Sequence, residues 1–275
     1  MSRGWLVAVV PLVLLGWTTA GTPLVVVLAA ALPALAYAAA IGWVAHVRGV
    51  RAGIAAGTFA FLWSAGVAAP VAGAANDRLL AHVDGILVAV LGAPLVEELA
   101  KGCVLLGVVL LWRDELRSVR AGVVVGALAG MGFAVTENVR YLLVAVLQDG
   151  PAGLLRWVWV RGIVEGGVHA VFAAATGAGL GSARATGRLR ATLAGFGAAV
   201  VQHVAWNGLA SRAVTHVLCN AAVADGPCRA APDPVGLVVT IPLIVLAALG
   251  PGTLAVAALA RRSGADGARV RSHPA

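Results

Sequence analysis

The sequence has few charged residues: Asp, Glu, Lys and Arg make up 12% of its 275 residues, whereas 60% are hydrophobic. A soluble domain has about 25% charged residues, so this composition excludes an ordinary soluble protein and indicates a membrane protein. The net charge of +8 comes from Arg side chains in short connections between apolar runs. That distribution is typical of membrane topology and does not indicate nucleic-acid binding.

Several catalytic motifs are absent from the sequence. It contains no phosphate-binding loop, dinucleotide fingerprint, Gly-x-Ser-x-Gly elbow or His-Glu-x-x-His pair. The lack of the last motif disfavours a standard zinc protease. Ser64 has no acid–base partner that the sequence assigns, so nucleophilic catalysis is also disfavoured.

Cysteine is scarce, with three residues in the chain. Cys103 lies inside an apolar run, where packing accounts for it. Cys219 and Cys228 lie nine residues apart in one polar connection, and a disulfide between them is plausible if that connection faces an oxidising compartment.

Long apolar runs are what the sequence does contain. A run of about 20 residues crosses the ~30 Å hydrocarbon core as a helix. We therefore predict an all-α, polytopic membrane bundle of about eight transmembrane helices, in a transmembrane domain 1–262 followed by a short basic tail 263–275. The first run is read as a membrane helix rather than a signal peptide, because the next follows at once. The runs are 5–20, 23–45, 52–75, 86–112, 120–147, 154–182, 190–214 and 235–260.

The connections alternate in charge. Those after the second, fourth and sixth runs are rich in Arg, as is the tail, whereas the intervening ones carry mostly Asp. Because basic connections remain in the cytoplasm, we expect both termini to be cytoplasmic and the Cys219–Cys228 connection to lie outside. This describes a multi-pass protein of a bacterial plasma membrane in contact with lipid.

The segment Pro94–Lys101 concentrates charge inside the fourth run. Glu97, Glu98 and Lys101, the only lysine in the chain, lie within five residues of one another. A charge at the bilayer centre costs about 2.5–3.5 kcal/mol on insertion scales, so such residues are functional-site candidates. The four-residue spacing predicts an ion pair between Glu97 and Lys101, which leaves Glu98 to be explained.

Three later runs carry polar residues as well. Glu137 and Asn138 follow a Gly122, Gly126, Gly130 stripe that predicts close helix packing, and a structural pair between Glu137 and Arg140 is an alternative to a site role. The sixth run places Arg161, Glu165 and His169 on one stripe, with Arg161–Glu165 read as a structural pair. The seventh places His203 and Asn207 one turn apart, with helix–helix hydrogen bonding as the alternative.

Depth in the membrane supports a common site. At ~1.5 Å per residue from the predicted cytoplasmic ends, Glu98, Glu137, His169 and His203 all lie roughly 18–25 Å deep. Carboxylates, imidazoles and an amide at one level in a dry bundle suit activation of water, with amide or imidazole donors for a developing oxyanion.

The ordered motifs resemble the PrsW family of intramembrane proteases, which is similar to the type II CAAX prenyl endopeptidases. The resemblance covers about 94–208, under half of the chain, and each motif is weak alone. The motifs are Glu97-Glu98-x-x-Lys101, Phe133-x-x-x-Glu137-Asn138, His169 before a Gly-rich half-helix, and His203-x-x-x-Asn207.

The resemblance implies hydrolysis of peptide bonds within the membrane. It implies Glu97 as general base beside Glu98, Glu137 and His169 at the water, and His203 and Asn207 as oxyanion donors. The prenyl endopeptidases have His where this chain has Glu137. Lys101, Asn138 and Arg140 are predicted as supporting residues.

Two catalytic types remain open at this point. We favour a glutamate-activated water without a cofactor. The alternative is zinc bound among Glu98, Glu137, His169 and His203.

The implied substrate is a single-pass or lipid-anchored membrane protein, such as an anti-sigma factor. The oligomeric state is not predicted. An ion or proton transporter is disfavoured because no inverted repeat is evident, and a non-catalytic scaffold is the other alternative.

Overall fold

The computed structural model describes residues 4–112, 114–210 and 250, and within them the regular structure is entirely helical. The connections are short. The α-helices are α1 (Gly4–Thr18), α2 (Leu24–Val47), α3 (Ile54–Trp63), α4 (Ala69–Leu80), α5 (Gly85–Leu87), α6 (Ala93–Leu111), α7 (Val119–Trp157), α8 (Val168–Thr186) and α9 (Arg190–Ala205). π-helical segments follow α3, α5, α7 and α9 at Ser64–Ala68, Val88–Gly92, Val158–Val164 and Trp206–Ala210.

Three of the described helical stretches are long and apolar enough to cross a membrane, namely Leu24–Val47, Ile54–Leu80 and Val119–Thr186. The predicted all-helical character is thus confirmed for the described residues, and the length and composition of these three stretches agree with a membrane protein. The total of eight spans and the cytoplasmic position of the termini stay predictions. The eighth run, Cys219 and Cys228 lie outside the described residues.

The predicted break between the fifth and sixth runs is confirmed, whereas the predicted course of the sixth run is wrong. Helix α7 is interrupted at Gly150, close to the predicted end of the fifth run at 147, and the positive φ of 65° at this glycine redirects the chain before Pro151. The sixth run is divided: it starts in the last turn of α7, continues as the π-helical segment Val158–Val164, and resumes as α8 at Val168 after a turn that contains adjacent glycines. Apolar periodicity does not record such local breaks, because the flanking residues remain hydrophobic.

Helices α7 and α8 pack backbone to backbone, as the glycine stripe predicts. Gly122, Gly126 and Gly130 each face a carbonyl of α8, and a Cβ at Gly130 would collide with the carbonyl of His169. Gly177 of α8 faces Gly122 in return. Small residues permit this approach, and it brings His169 directly against α7.

The π-helical segment between α3 and α4, Ser64–Ala68, is hydrogen-bonded to α7. The Thr136 hydroxyl donates to the Ala65 carbonyl at 2.7 Å. Pro70 lies in the first turn of α4, where its missing N–H is tolerated. Helix α4 then lies against α6 and α7, so it forms a wall of the region that contains Glu97.

Candidate active site

Lys101 lies at the centre of a buried polar cluster. Its side chain is fully buried, and Nζ lies 2.7 Å from Glu98 Oε1 and 3.1 Å from His169 Nδ1. The predicted pair between Glu97 and Lys101 is therefore wrong. Glu98 has no exposed side-chain surface and faces inward to the ammonium group, whereas Glu97 turns to the neighbouring cavity. Both three- and four-residue spacings permit a pair, so helix periodicity did not decide between them.

The imidazole of His203 is oriented by Glu98. Its Nδ1 lies 2.9 Å from Glu98 Oε1 and its ring stacks on Phe172 at 4.6 Å. An ionised carboxylate only accepts hydrogen bonds, so Nδ1 is the donor and the Nε2 lone pair of the neutral ring points away from Glu98. Nε2 lies 3.7 Å from Glu97 Oε2, too far for a direct hydrogen bond.

Glu97 lies at the wall of the cavity. It is 6% exposed, and its Oε1 accepts a hydrogen bond from Asn76 Nδ2 at 3.2 Å. Within the described part of the chain, Oε2 has no hydrogen-bond partner. Asn76 was missed by the sequence analysis, because it precedes Asp77 and Arg78 at the end of the third run and was read as part of a connection.

Glu137 is held through both of its oxygens. Oε2 lies 2.5 Å from His169 Nε2, and Oε1 lies 3.2 Å from Arg161 Nη2. The predicted Arg161–Glu165 pair is confirmed at 2.9 Å, but Arg161 also reaches Glu137, which the sequence analysis did not predict.

The alternative pair between Glu137 and Arg140 is wrong. Arg140 instead binds Asp77 of α4, with Nη2 lying 2.9 and 3.2 Å from the two carboxylate oxygens. The two side chains leave α7 on different faces: Arg140 is exposed toward α4, whereas Glu137 faces α8.

The two predicted amide residues lie at different places in the site. Asn138 is buried and its Nδ2 donates to the Arg161 carbonyl at 3.4 Å, so it supports the segment that carries Arg161. Asn207 lies in the π-helical segment after α9 and donates to the Ala89 carbonyl at 3.0 Å.

A cavity of about 800 Å³ adjoins this cluster. Two carboxylates and two amides of the site contribute to its wall, whereas Glu98, Lys101 and the two histidines lie behind that wall. The site residues at the cavity are Asn76, Glu97, Glu137 and Asn207, and its other polar lining residues are Thr18, Thr19, Asp77, Thr136, Arg140, Tyr141 and Gln148.

The cavity lies toward one end of the bundle. Thr18, Leu80, Gly85 and Gln148, which lie at or near helix ends, all line it. The Arg-rich connections meet at the other end of α7. There the Gly53 amide donates to Glu115, and Gly181 lies against Ser118. The arginines at this end are Arg48, Arg51, Arg117, Arg120, Arg184 and Arg188.

The charges of the cluster do not balance. Its described members include four carboxylates, Glu97, Glu98, Glu137 and Glu165, and two permanent cations, Lys101 and Arg161. With neutral imidazoles this leaves a formal charge of −2. Buried charge is costly unless it is compensated, so uptake of protons or of a divalent cation would lower the cost of burying these carboxylates.

Three of these side chains converge in a way that fits a metal ion. One ligand atom each from Glu97, His169 and His203 lies within 4.8 Å of the others, and all three residues are buried. Two imidazoles and one carboxylate are a ligand set that zinc accepts in catalytic sites. The bond from His203 to Glu98 leaves Nε2 for a ligand, which is the usual support for a metal-binding histidine. Ligation by Nε2 of His169 would take the place of its contact with Glu137, and it would also require the ring hydrogen to move to Nδ1, which now faces the Lys101 ammonium group. The predicted zinc set contained both histidines but not Glu97.

Fold and site together define a helical membrane protein with a buried carboxylate–imidazole centre at the wall of a cavity. A family model described as PrsW family intramembrane metalloprotease matches residues 53–247, more than half of the chain. The protein belongs to this family of intramembrane proteases. Comparison with curated proteins and with solved structures gives no significant match. Family membership favours a hydrolase over the transporter and scaffold alternatives.

Proposed function

We propose that the protein is a multi-pass endopeptidase of a bacterial plasma membrane that cuts single-pass or lipid-anchored membrane proteins near the extracytoplasmic end of their membrane segment. The position of the cavity supports this, because it lies at the end of the bundle away from the Arg-rich connections. Basic connections tend to remain in the cytoplasm, which supports a position of the cavity on the outer side of the proposed eight-span bundle with cytoplasmic termini. Anti-sigma factors are the substrate class that the family resemblance suggests.

The observation that carries the mechanism is the gap between Glu97 Oε2 and His203 Nε2. The two atoms are 3.7 Å apart, and each is free to accept a hydrogen bond. A water between them donates one hydrogen to each atom. Glu97 then takes a proton as the water oxygen attacks the peptide carbonyl carbon, and the proton passes to the leaving amine nitrogen as the C–N bond breaks.

The oxyanion is stabilised by Asn207 in this proposal. A neutral His203 that donates from Nδ1 to Glu98 has an accepting Nε2, so it cannot also donate to an oxyanion. Asn207 lies at the cavity and has a second amide hydrogen beyond the one given to Ala89. Loss of one such donor costs about 10²–10³ in turnover in other hydrolases.

The remaining charges fix the geometry. Lys101 holds Glu98 and His169, and Glu98 in turn fixes the ring of His203. Glu137 has close ion-pair contacts with His169 and Arg161, so it is less suited than Glu97 to activate water. It presents a fixed negative charge at the cavity wall.

The second candidate is a metalloprotease that uses the same cluster. The formal charge of −2 and the convergence of three ligand atoms favour it, as does the description of the family. Glu97, His169 and His203 would hold the ion. A bound zinc ion would supply Lewis acidity and lower the pKa of a water toward neutrality. Glu98 keeps its role in either type, because it orients His203 through Nδ1.

The test uses purified protein in proteoliposomes together with single-span reporter proteins. In each reporter, the extracytoplasmic end of the membrane segment is that of an anti-sigma factor. We expect cleavage near the outer boundary, mapped by mass spectrometry. Glu97→Gln should lower turnover at least ~100-fold with an unchanged unfolding midpoint. Glu115→Gln is the matched control and should cleave normally, since Glu115 accepts a hydrogen bond from the Gly53 amide and does not line the cavity.

The same assay separates the catalytic types. Glu98→Gln should also abolish cleavage, because His203 loses its charged orienting partner. Full activity of both Gln variants would exclude a glutamate mechanism. Loss of cleavage after treatment with a chelator, and its recovery with added zinc, would establish the metal-dependent type.

A further inference from the structure

Asn76 has no role in the reaction described above, although its position and its contacts connect it to the active site. It lies on α4, a helix that carries none of the family motifs named above, and its side chain faces the cavity. Its Nδ2 donates to Glu97 Oε1 at 3.2 Å. Its Oδ1 is buried and has no hydrogen-bond partner in the described part of the chain.

The hydrogen bond from Asn76 selects which oxygen of Glu97 is available. A carboxylate can rotate, and either oxygen could face His203. With Oε1 bound to Asn76, Oε2 is the oxygen that remains 3.7 Å from His203 Nε2. Two ligands of a tetrahedral zinc ion with bonds of about 2.0–2.1 Å lie about 3.3–3.4 Å apart, so the observed separation suits a water and is close to that required by a metal.

Burial makes this orientation consequential. Glu97 is 6% exposed, so little bulk water is present to hold its oxygens in place. Asn76 is the hydrogen-bond donor that the described structure provides to this carboxylate. A carboxylate or imidazole that binds a metal or activates water is commonly held by such a second partner, and removal of the partner lowers metal affinity or activity about 10–100-fold.

We propose that Asn76 is a positioning residue of the active site, which orients the Glu97 carboxylate so that Oε2 faces His203. This inference rests on the proposed function of Glu97. Asn76 acts through Glu97 and is not assigned a contact with the substrate.

The decisive variant is Asn76→Leu, which keeps the size of the side chain and removes the donor. We expect kcat on the single-span reporter to fall about 10–100-fold and KM to change less than about 3-fold, because orientation of the base affects the chemical step. Asn76→Gln, which retains a donor, should recover part of the loss. Arg78→Leu is the control, since Arg78 is exposed on the same helix and does not line the cavity.

A second readout does not depend on turnover. Zinc affinity is measured by competition with a fluorescent chelator, and Asn76→Leu should bind zinc about 10–100-fold more weakly than the wild type, whereas Arg78→Leu should not. If the wild type binds no zinc, kcat and KM decide the question. Should Asn76→Leu fail to fold, Asn76→Ala replaces it, because alanine has no side-chain donor and this variant should also lose turnover.

Three outcomes would overturn the proposal: a kcat for Asn76→Leu equal to that of Arg78→Leu, a change confined to KM, or no recovery with Asn76→Gln. A failure of the proposed function looks different. In that case Glu97→Gln itself would cleave normally, whereas a failure of the Asn76 proposal leaves Glu97→Gln inactive and Asn76→Leu active.

Discussion

Substitution of Lys101 by Met should be among the most destabilising single changes in the bundle. Nζ lies 2.7 Å from Glu98 Oε1, and both side chains are 0% exposed. Their gross attraction at an effective dielectric of about 20 is about 6 kcal/mol. Removal of one partner from a buried pair leaves an uncompensated charge, which typically costs about 3–5 kcal/mol. We therefore expect Lys101→Met to lower the free energy of unfolding by about 3–5 kcal/mol, measured by denaturant titration in bicelles.

A matched control separates burial from charge. Arg140 and Asp77 lie 2.9 Å apart, almost the same distance, but their side chains are more than half exposed. Arg140→Met should therefore cost only about 0–1 kcal/mol. The double variant Lys101→Met with Glu98→Gln removes both buried charges, and its cost should be at least about 2 kcal/mol less than the sum of the single changes. Equal costs for Lys101→Met and Arg140→Met would refute the assignment of a fully buried pair.

Other predictions follow from the same contacts. Gly126→Ala should lower the free energy of unfolding by about 1–3 kcal/mol, because the added Cβ would meet an α8 carbonyl. Gly102→Ala should have little effect, since nothing lies within 4 Å of a Cβ at that position, and thermal unfolding of the two variants tests the difference. His203→Ala should weaken zinc binding at least ~100-fold in the chelator assay, and an unchanged affinity would place the ion elsewhere. Thr136→Val should cost about 1 kcal/mol through the lost bond to the Ala65 carbonyl, and a neutral effect would show that the π-helical turn does not depend on that bond.

The meeting of the site residues could be predicted from the sequence because membrane depth restricts where each helix can place a polar group. Lys101 contacts both Glu98 and His169, and Glu98 in turn contacts His203, as the equal depth of these residues predicts. The glycine stripe on α7 also predicted the close packing with α8, because small residues at four-residue spacing have few other uses in an apolar helix.

Pairing within the cluster was not predictable, because it depends on side-chain direction. Lys101 is three residues from Glu98 and four from Glu97, and only the packing of α6 against α8 and α9 selects the first. Asn76 could not be distinguished from a polar residue of a connection, since its helix ends four residues later at Leu80. Arg161 was assigned correctly to Glu165, but its second carboxylate belongs to another helix and has no signal in local spacing.

Access of water to the buried site can be measured directly by cysteine labelling. In a variant with Cys103, Cys219 and Cys228 replaced by Ala, Glu137→Cys should react with a membrane-impermeant thiol reagent added on the extracytoplasmic side, because Glu137 lines the cavity. Leu99→Cys should not react, since Leu99 is 56% exposed on the outer surface of the bundle, where lipid excludes a charged reagent. Lack of reaction at Glu137→Cys, or reaction only from the cytoplasmic side, would contradict a water-accessible active site that opens toward the outer face of the membrane.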